Sequence, residues 1–374
     1  MSTLARTDNS ILTRWWWTVD RWNLAAVMVL AMIGMVLALA ASPPVAQRLG
    51  LDTYYFAGRQ AVYLGLGLFV LLCASLLSPR GVRRVAMGVL GLSMVLMVAV
   101  LAVGPEIKGA TRWLSFGSFS LQPSEFAKPT LAVTAAWFFA QARLQEGYPG
   151  NLVATGLFLM VAALLLMQPD VGMTMVVASV WGVQFFLAGL PIVMVMGIGC
   201  AFLAASVGAY FTFGHVRARV DRFFDPSAGE GYQIMRSLDA FHNGGLTGRG
   251  PGEGRVKEVL PDAHTDFIFA VAGEEFGMLV CVAIVALFAF VVVRGLSRAY
   301  KDDNLFVLLA SAGLLVQFAV QAMINLASTL HLIPPKGMTL PFVSYGGSST
   351  VAIALGFGLM LALTRSRPGE GGGR

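Results

Sequence analysis

Apolar residues in this chain fall in long runs separated by short polar stretches, without the strict alternation of half-buried strands. Runs near 24–42, 60–78, 84–103, 125–142, 152–167, 171–188, 190–213, 267–293, 304–328 and 345–363 each approach the ~20 residues that a helix needs to cross a bilayer. The pattern predicts an all-α, polytopic membrane protein with about ten transmembrane helices and one long extracytoplasmic loop over 214–265. The first run closes on Ala38-Leu39-Ala40-Ala41-Ser42, which imitates a signal cleavage site. Its ~19 apolar residues exceed the ~7–15 of a signal segment, so it is read as a retained helix. A single transmembrane domain over 1–364 and a disordered tail over 365–374 complete the expected organisation.

Composition narrows the class. Of 374 residues, 57% are hydrophobic and 12% charged, against a charged share of ~25% in soluble domains, which excludes an ordinary soluble fold. A net charge of +6 would suggest nucleic acid in a soluble protein; here it reads as basic loops facing anionic headgroups, and no nucleic-acid partner is expected. Cys73, Cys200 and Cys281 all lie inside apolar runs, which leaves neither a disulfide framework nor a zinc spacing. His215, His242, His264 and His331 are scattered at no metal-ligand spacing.

Orientation follows from basic residues in short loops. A cytoplasmic N-terminus places Arg14, Arg80, Arg83, Arg84, Arg143, Arg294, Arg298 and Lys301 inside, and leaves Arg48, Arg59, Lys108, Arg112 and Lys336 in short outer loops. Both termini are then cytoplasmic. The outer side gathers the polar stretches 104–129, 168–174, 214–266 and 330–349, so the chemistry is expected there.

The fourth, sixth, eighth and tenth spans begin at that surface, and helix N-termini favour anions, above all phosphate. Ser344-Tyr345-Gly346-Gly347-Ser348-Ser349 opens the tenth span, where the glycines serve either backbone approach to an oxyanion or close helix packing. Arg112, Lys128, Lys257 and Lys336 supply positive charge on the same side. Lys128 follows Glu125 by three residues on one helix face, at a depth where charges are costly and are either functional or paired. Asp266, at the start of the eighth span, is either a helix cap or an ionised general base. Helical geometry turns Glu274 ~80° from Asp266 and Glu275 ~180°, so only Glu274 is expected to share its cavity. Gln317, Gln321, Asn325 and Ser328 form a polar stripe on the ninth span that either lines a substrate path or locks helices together.

The motifs Lys108-Gly109-Ala110-Thr111-Arg112-Trp113, Gln122-Pro123-Ser124-Glu125-Phe126-Ala127-Lys128-Pro129, Gln168-Pro169-Asp170-Val171-Gly172, Leu260-Pro261-Asp262-Ala263-His264-Thr265-Asp266-Phe267 and Pro341-Phe342-Val343-Ser344-Tyr345-Gly346-Gly347 occur in order. Together they resemble the SEDS family (shape, elongation, division, sporulation) over residues 24–364. Lys336-Gly337-Met338-Thr339-Leu340-Pro341, Gly248-Arg249-Gly250-Pro251-Gly252-Glu253-Gly254 and Gly273-Glu274-Glu275-Phe276-Gly277 are similar to the division branch of that family rather than the elongation branch.

The resemblance implies a ten-helix peptidoglycan glycosyltransferase that polymerises lipid II at the outer face of the inner membrane, at the division septum. It also implies a cognate class B penicillin-binding protein and other division membrane proteins as partners. Asp266 matches the family's essential aspartate and is the expected catalytic base. Arg112, Glu125, Lys128, Lys257, Lys336, Gly346, Gly347 and Ser348 are the expected substrate-binding set. No cofactor is certain; a divalent cation, Mg or Mn, is the one candidate. A lipid II flippase and a non-catalytic scaffold are the alternatives. Charges crowded at the outer lip disfavour the first, and the desolvation cost of Lys128 and Glu274 disfavours the second.

Overall fold

The computed structural model describes residues 10–107, 110–117, 119–189, 192–212, 214, 217, 221, 230–334 and 337–366. Each of the ten apolar runs coincides with a helix. These are α2 (Arg21–Arg48), α3 (Tyr55–Ser75), α4 (Pro79–Val103), α5 (Pro123–Leu144), α6 (Gly150–Met167), α7 (Val171–Leu187), α8 (Ile192–Thr212), α11 (Ile268–Ala299), α12 (Leu305–Thr329) and α13 (Gly347–Leu363). The run pattern does not announce the shorter elements. They are α1 (Ile11–Thr18), α9 (Glu230–Gly244), α10 (Val256–Val259) and two antiparallel ribbons, β1 (Glu106–Ile107) with β2 (Ala110–Thr111) and β3 (Leu114–Phe116) with β4 (Phe119–Leu121).

Helix starts follow capping chemistry. Ser10, Asp20, Ser78, Asp170 and Asn304 each accept a hydrogen bond from a first-turn amide, satisfying one of the donors that a helix N-terminus leaves open. Among the described residues six helices, α2, α3, α4, α6, α11 and α12, are long and apolar enough to cross a bilayer alone, and α7 and α13 are shorter apolar helices.

Burial separates centre from rim. The apolar stretch of α12 is 72% buried and that of α4 only 28%, so α12 is central and α4 meets lipid. The exposed residues of the rim, such as Val62, Leu66 and Phe69 on α3 or Leu92, Val95 and Val98 on α4, recur at spacings of three or four, as one helix face does. In the centre, glycines let backbones meet: a Cβ on Gly358 of α13 would stand 2.5 Å from the Leu71 carbonyl oxygen of α3.

α11 is two helices in line. Gly277 has φ 77° and ψ −178°, a conformation only glycine adopts without strain, and it interrupts the hydrogen-bond ladder. Residues 245–250 occupy the gap. Arg249 and Gly250 donate their amides to the carbonyls of Glu274 and Glu275 at 3.0 Å each, and Met278 and Leu279 donate to those of Gly245 and Leu246 at 2.9 and 3.3 Å. Gly248 and Gly277 approach so closely that a Cβ on either would overlap the other strand of the gap.

This insertion corrects the expectation for Glu274. Its oxygens accept from the Arg255 and Val256 amides at 3.0 and 2.9 Å, and Arg249 lies 3.7 Å away. Glu274 therefore fastens the loop over its own face of α11 and does not share a cavity with Asp266.

Candidate active site

Asp266 lies in the turn before α11. Its amide donates to the Asp262 carbonyl at 3.1 Å. The N-cap of α11 is Phe267, with no side-chain cap hydrogen bond, and Asp266 stands one residue ahead of it. Its carboxylate faces the next loop: a Cβ on Gly337, which sits at φ 64°, would stand 3.6 Å from Asp266 Oδ2.

The polar stripe of α12 holds both segments. Asn325 Nδ2 donates to the Asp266 carbonyl at 3.0 Å and to the Met338 carbonyl at 2.7 Å, while Thr329 Oγ1 reaches the Asp266 carbonyl at 3.4 Å. One turn earlier, Gln321 Nε2 donates to the Thr339 carbonyl at 3.2 Å, and Thr339 Oγ1 lies 2.8 Å from Ser349 Oγ on α13. The stripe thus locks loops to the bundle, one of the two roles open to it from sequence.

Glu125 and Lys128 meet as a 2.8 Å ion pair with side chains 4% and 1% exposed, and Lys128 Nζ also donates to Gln321 Oε1 at 3.0 Å. Buried charges that are paired and hydrogen-bonded escape most of the penalty of isolation. In this conformation Lys128 offers no surface to a ligand. It connects through Gln321 to Thr339 and Ser349.

The remaining predicted residues separate. Arg112 holds the loop before α7: Nε donates to the Gln168 carbonyl at 3.2 Å, Nη2 to the Pro169 carbonyl at 2.5 Å, and Nη1 lies 3.5 Å from Asp170 Oδ2. Burial pushes the Asp170 carboxyl above its ordinary range, and Arg112 partly opposes this. Lys257 is buried against Glu275 Oε1 at 2.5 Å and the Gly252 carbonyl at 2.9 Å, so it secures the loop in the α11 gap and does not join the Asp266 group. Lys336 lies outside the described residues.

At the start of α13, a Cβ on Gly346 would come within 2.9 Å of Thr339 Cγ2, and one on Gly347 within 2.8 Å of the Tyr63 ring. Close packing therefore accounts for both glycines. Ser348 Oγ accepts from the Gln122 amide at 3.3 Å.

Sequence reasoning passed over an aromatic wall beside this site. Arg59 donates to the hydroxyls of Tyr55 and Tyr63 at 2.7 and 3.0 Å, an arrangement legible in their spacing of four on α3. The His264 ring lies 4.3 Å from that of Phe56 and 5.4 Å from that of Tyr345, and the His264 carbonyl accepts from the Tyr345 amide at 2.9 Å. Burial pushes the His264 imidazole down to about 4, which keeps it neutral, and the Tyr345 hydroxyl up to about 12.

Ten long apolar helices with polar residues gathered around Asp266 define a polytopic membrane protein. The chain belongs to the FtsW/RodA/SpoVE family of cell cycle proteins, whose profile matches residues 21–368. It is 48% identical over 369 residues to a probable peptidoglycan glycosyltransferase FtsW of Caulobacter vibrioides, covering 98% of this chain and 95% of that one. It is 34% identical over 356 residues to that of Escherichia coli O157:H7, with coverage of 92% and 85%. Among solved structures, a chain from a peptidoglycan synthase complex, studied for its coordination of polymerization and crosslinking, superposes with TM-score 0.76 at 28% identity, covering 92% of this chain and 97% of that one. Thermus thermophilus RodA, a rod shape determining protein, gives 0.70 at 29% identity, with coverage of 93% and 97%.

Proposed function

We propose that this protein is a peptidoglycan glycosyltransferase of cell division that polymerises lipid II, and that Asp266 is its general base. The placement of Asp266 supports the reading: a partly exposed carboxylate in a turn held by its backbone, facing the loop at Gly337. The family relationship and the relatives named peptidoglycan glycosyltransferase FtsW support the reaction class.

In the proposed reaction, the 4-hydroxyl of the acceptor GlcNAc attacks the anomeric carbon of the donor MurNAc. A C–O bond forms there as the bond to phosphate breaks, undecaprenyl pyrophosphate leaves with the electron pair, and Asp266 takes the hydroxyl proton. General base assistance of this kind contributes ~10²–10⁴-fold. Lys336, next in sequence to Gly337, is the cation assigned to the leaving group. Lys128, held by Glu125 and Gln321, acts on the site through Thr339 instead of by contact. No cluster of three or more His, Cys, Asp or Glu converges among the described residues, and no step here is routed through a divalent cation.

The same reading places both termini in the cytoplasm, the Asp266 shelf at the outer face of the inner membrane at the septum, and a class B penicillin-binding protein alongside. Basic short loops on the opposite side support the orientation, and the similarity to a chain of a synthase complex supports the partner. The test is purified full-length protein with its penicillin-binding partner, lipid II as substrate and glycan strands as readout. Asp266→Asn is expected to lose at least ~10²-fold in rate while still binding lipid II. A wild-type protein that makes no glycan with its partner present, or an Asp266→Asn variant as active as wild type, refutes the assignment.

A further inference from the structure

The carboxamide of Asn325 is fully buried and makes an unusual pair of bonds. Its two N–H groups go to two main-chain carbonyls from segments far apart in sequence, Asp266 at 3.0 Å and Met338 at 2.7 Å. With two acceptors as neighbours, the amide can be oriented only one way, because the flipped form would set an oxygen against two oxygens. Its Oδ1 is buried without a hydrogen-bond partner. A group selected for helix packing would satisfy that oxygen too, since buried polar atoms left unpaired are costly. Here the donor side is fully used and the acceptor side is left open.

The two carbonyls flank the point where chemistry is proposed. One belongs to Asp266 itself. The other lies one residue beyond Gly337, whose Cα faces the Asp266 carboxylate. Thr329, one turn further along α12, reinforces only the Asp266 side, through the Asp266 carbonyl at 3.4 Å and the Asn325 carbonyl at 2.8 Å. Asn325 thus bonds to both segments.

We propose that Asn325 is a positioning residue that fixes the distance between the Asp266 carboxylate and the Gly337–Met338 segment. It acts on turnover and leaves lipid II affinity nearly unchanged, because it is buried behind the two segments. This rests on the assignment of Asp266 as the base. Small misplacements of a base relative to the reacting atoms cost ~10²-fold in rate, and that sets the scale of the expected effect.

The experiment measures kcat and KM for lipid II in the complex with the penicillin-binding partner. Rates are normalised to protein that binds lipid II, so that a partly unfolded sample does not imitate a slow one. Asn325→Asp keeps the shape and removes both donors; Asn325→Leu removes all polarity; Gln317→Leu, on the same stripe but bonded to neither segment, is the control. Both Asn325 variants are expected to lose about 10–10²-fold in kcat with KM within about twofold, and Gln317→Leu to turn over normally. Asn325 variants with wild-type kcat, or a loss confined to KM, overturn the positioning role. Asp266→Asn, measured in parallel, separates the two claims. An active Asp266→Asn sinks the base assignment, whereas an inactive one beside fully active Asn325 variants sinks only the positioning role.

Discussion

Two buried lysine–glutamate pairs, with nearly the same chemistry, do different work. Glu125 and Lys128 sit three residues apart on α5 and pass their contact through Gln321 to the loop at Thr339. Lys257 and Glu275 join a loop to α11, and Gly252 adds its carbonyl to the lysine and its amide to the carboxylate. The first pair leads toward the reaction; the second closes the loop over the broken helix. Both lysines look equally suited to phosphate in the sequence, and the difference lies wholly in their partners.

The comparison breaks most sharply when each pair is cut. Lys257→Met and Lys128→Met each strand a buried carboxylate and should destabilise the folded protein by about 3–5 kcal/mol, read as thermal unfolding in detergent. Removing both members restores packing without an orphan charge. Lys257→Met with Glu275→Leu is expected to recover both stability and polymerisation, whereas Lys128→Met with Glu125→Leu should recover stability alone. Equal recovery of activity in the two double variants would erase the distinction.

A second effect belongs to the aromatic wall. The fold holds His264 near 4, below its ordinary 6.5, so folding favours the neutral ring. That contribution is complete above pH 6.5 and is lost as pH falls toward 4, about 3 kcal/mol at most. His264→Gln should flatten the fall in unfolding temperature across that window. Asp170, with its pKa raised, contributes in the opposite sense: its share is present in acid and lost as pH rises through its folded value. The wild-type slope is therefore the difference of two trends, and only the comparison with the variant isolates His264.

Gly277→Ala tests the loop side alone. A Cβ there meets the Gly248 amide and the Leu246 carbonyl at a positive φ, and about 1–3 kcal/mol of stability should be lost, measured by the same melts. The smallest effect is expected at Lys336. Lys336→Ala should slow polymerisation less than Lys128→Ala, because losing Lys128 also strands the buried Glu125 carboxylate; the reverse order would return Lys128 to a purely structural part.

All ten long helices were legible because a bilayer forces ~20 apolar residues per crossing, and even the Glu125 and Lys128 charges of α5 did not hide its run. The ribbons at 106–121 were not, since strands of two or three residues leave no period to read. The break at Gly277 was invisible because glycine is common in membrane helices; only its positive φ reveals it. Sequence physics left Asp266 between cap and base, and only the family resemblance tipped it toward the base. The pairing of Lys257 was hidden because its partner lies eighteen residues away across a loop, a distance at which spacing says nothing. The same limit applies to Asn325, whose two acceptors are 59 and 13 residues off.

The interruption in α11 also has a mechanical side. A continuous helix is a stiff rod, and push or twist applied at one end arrives at the other through its ladder. Here the rod is cut between the turn that carries Asp266 and the long segment embedded among lipids, and residues 245–250 act as a splint across the cut. Load from the lipid-embedded shaft is shared between the backbone at Gly277 and that splint on its way to the carboxylate. Whatever pulls on the loop therefore acts on the same joint as the shaft does.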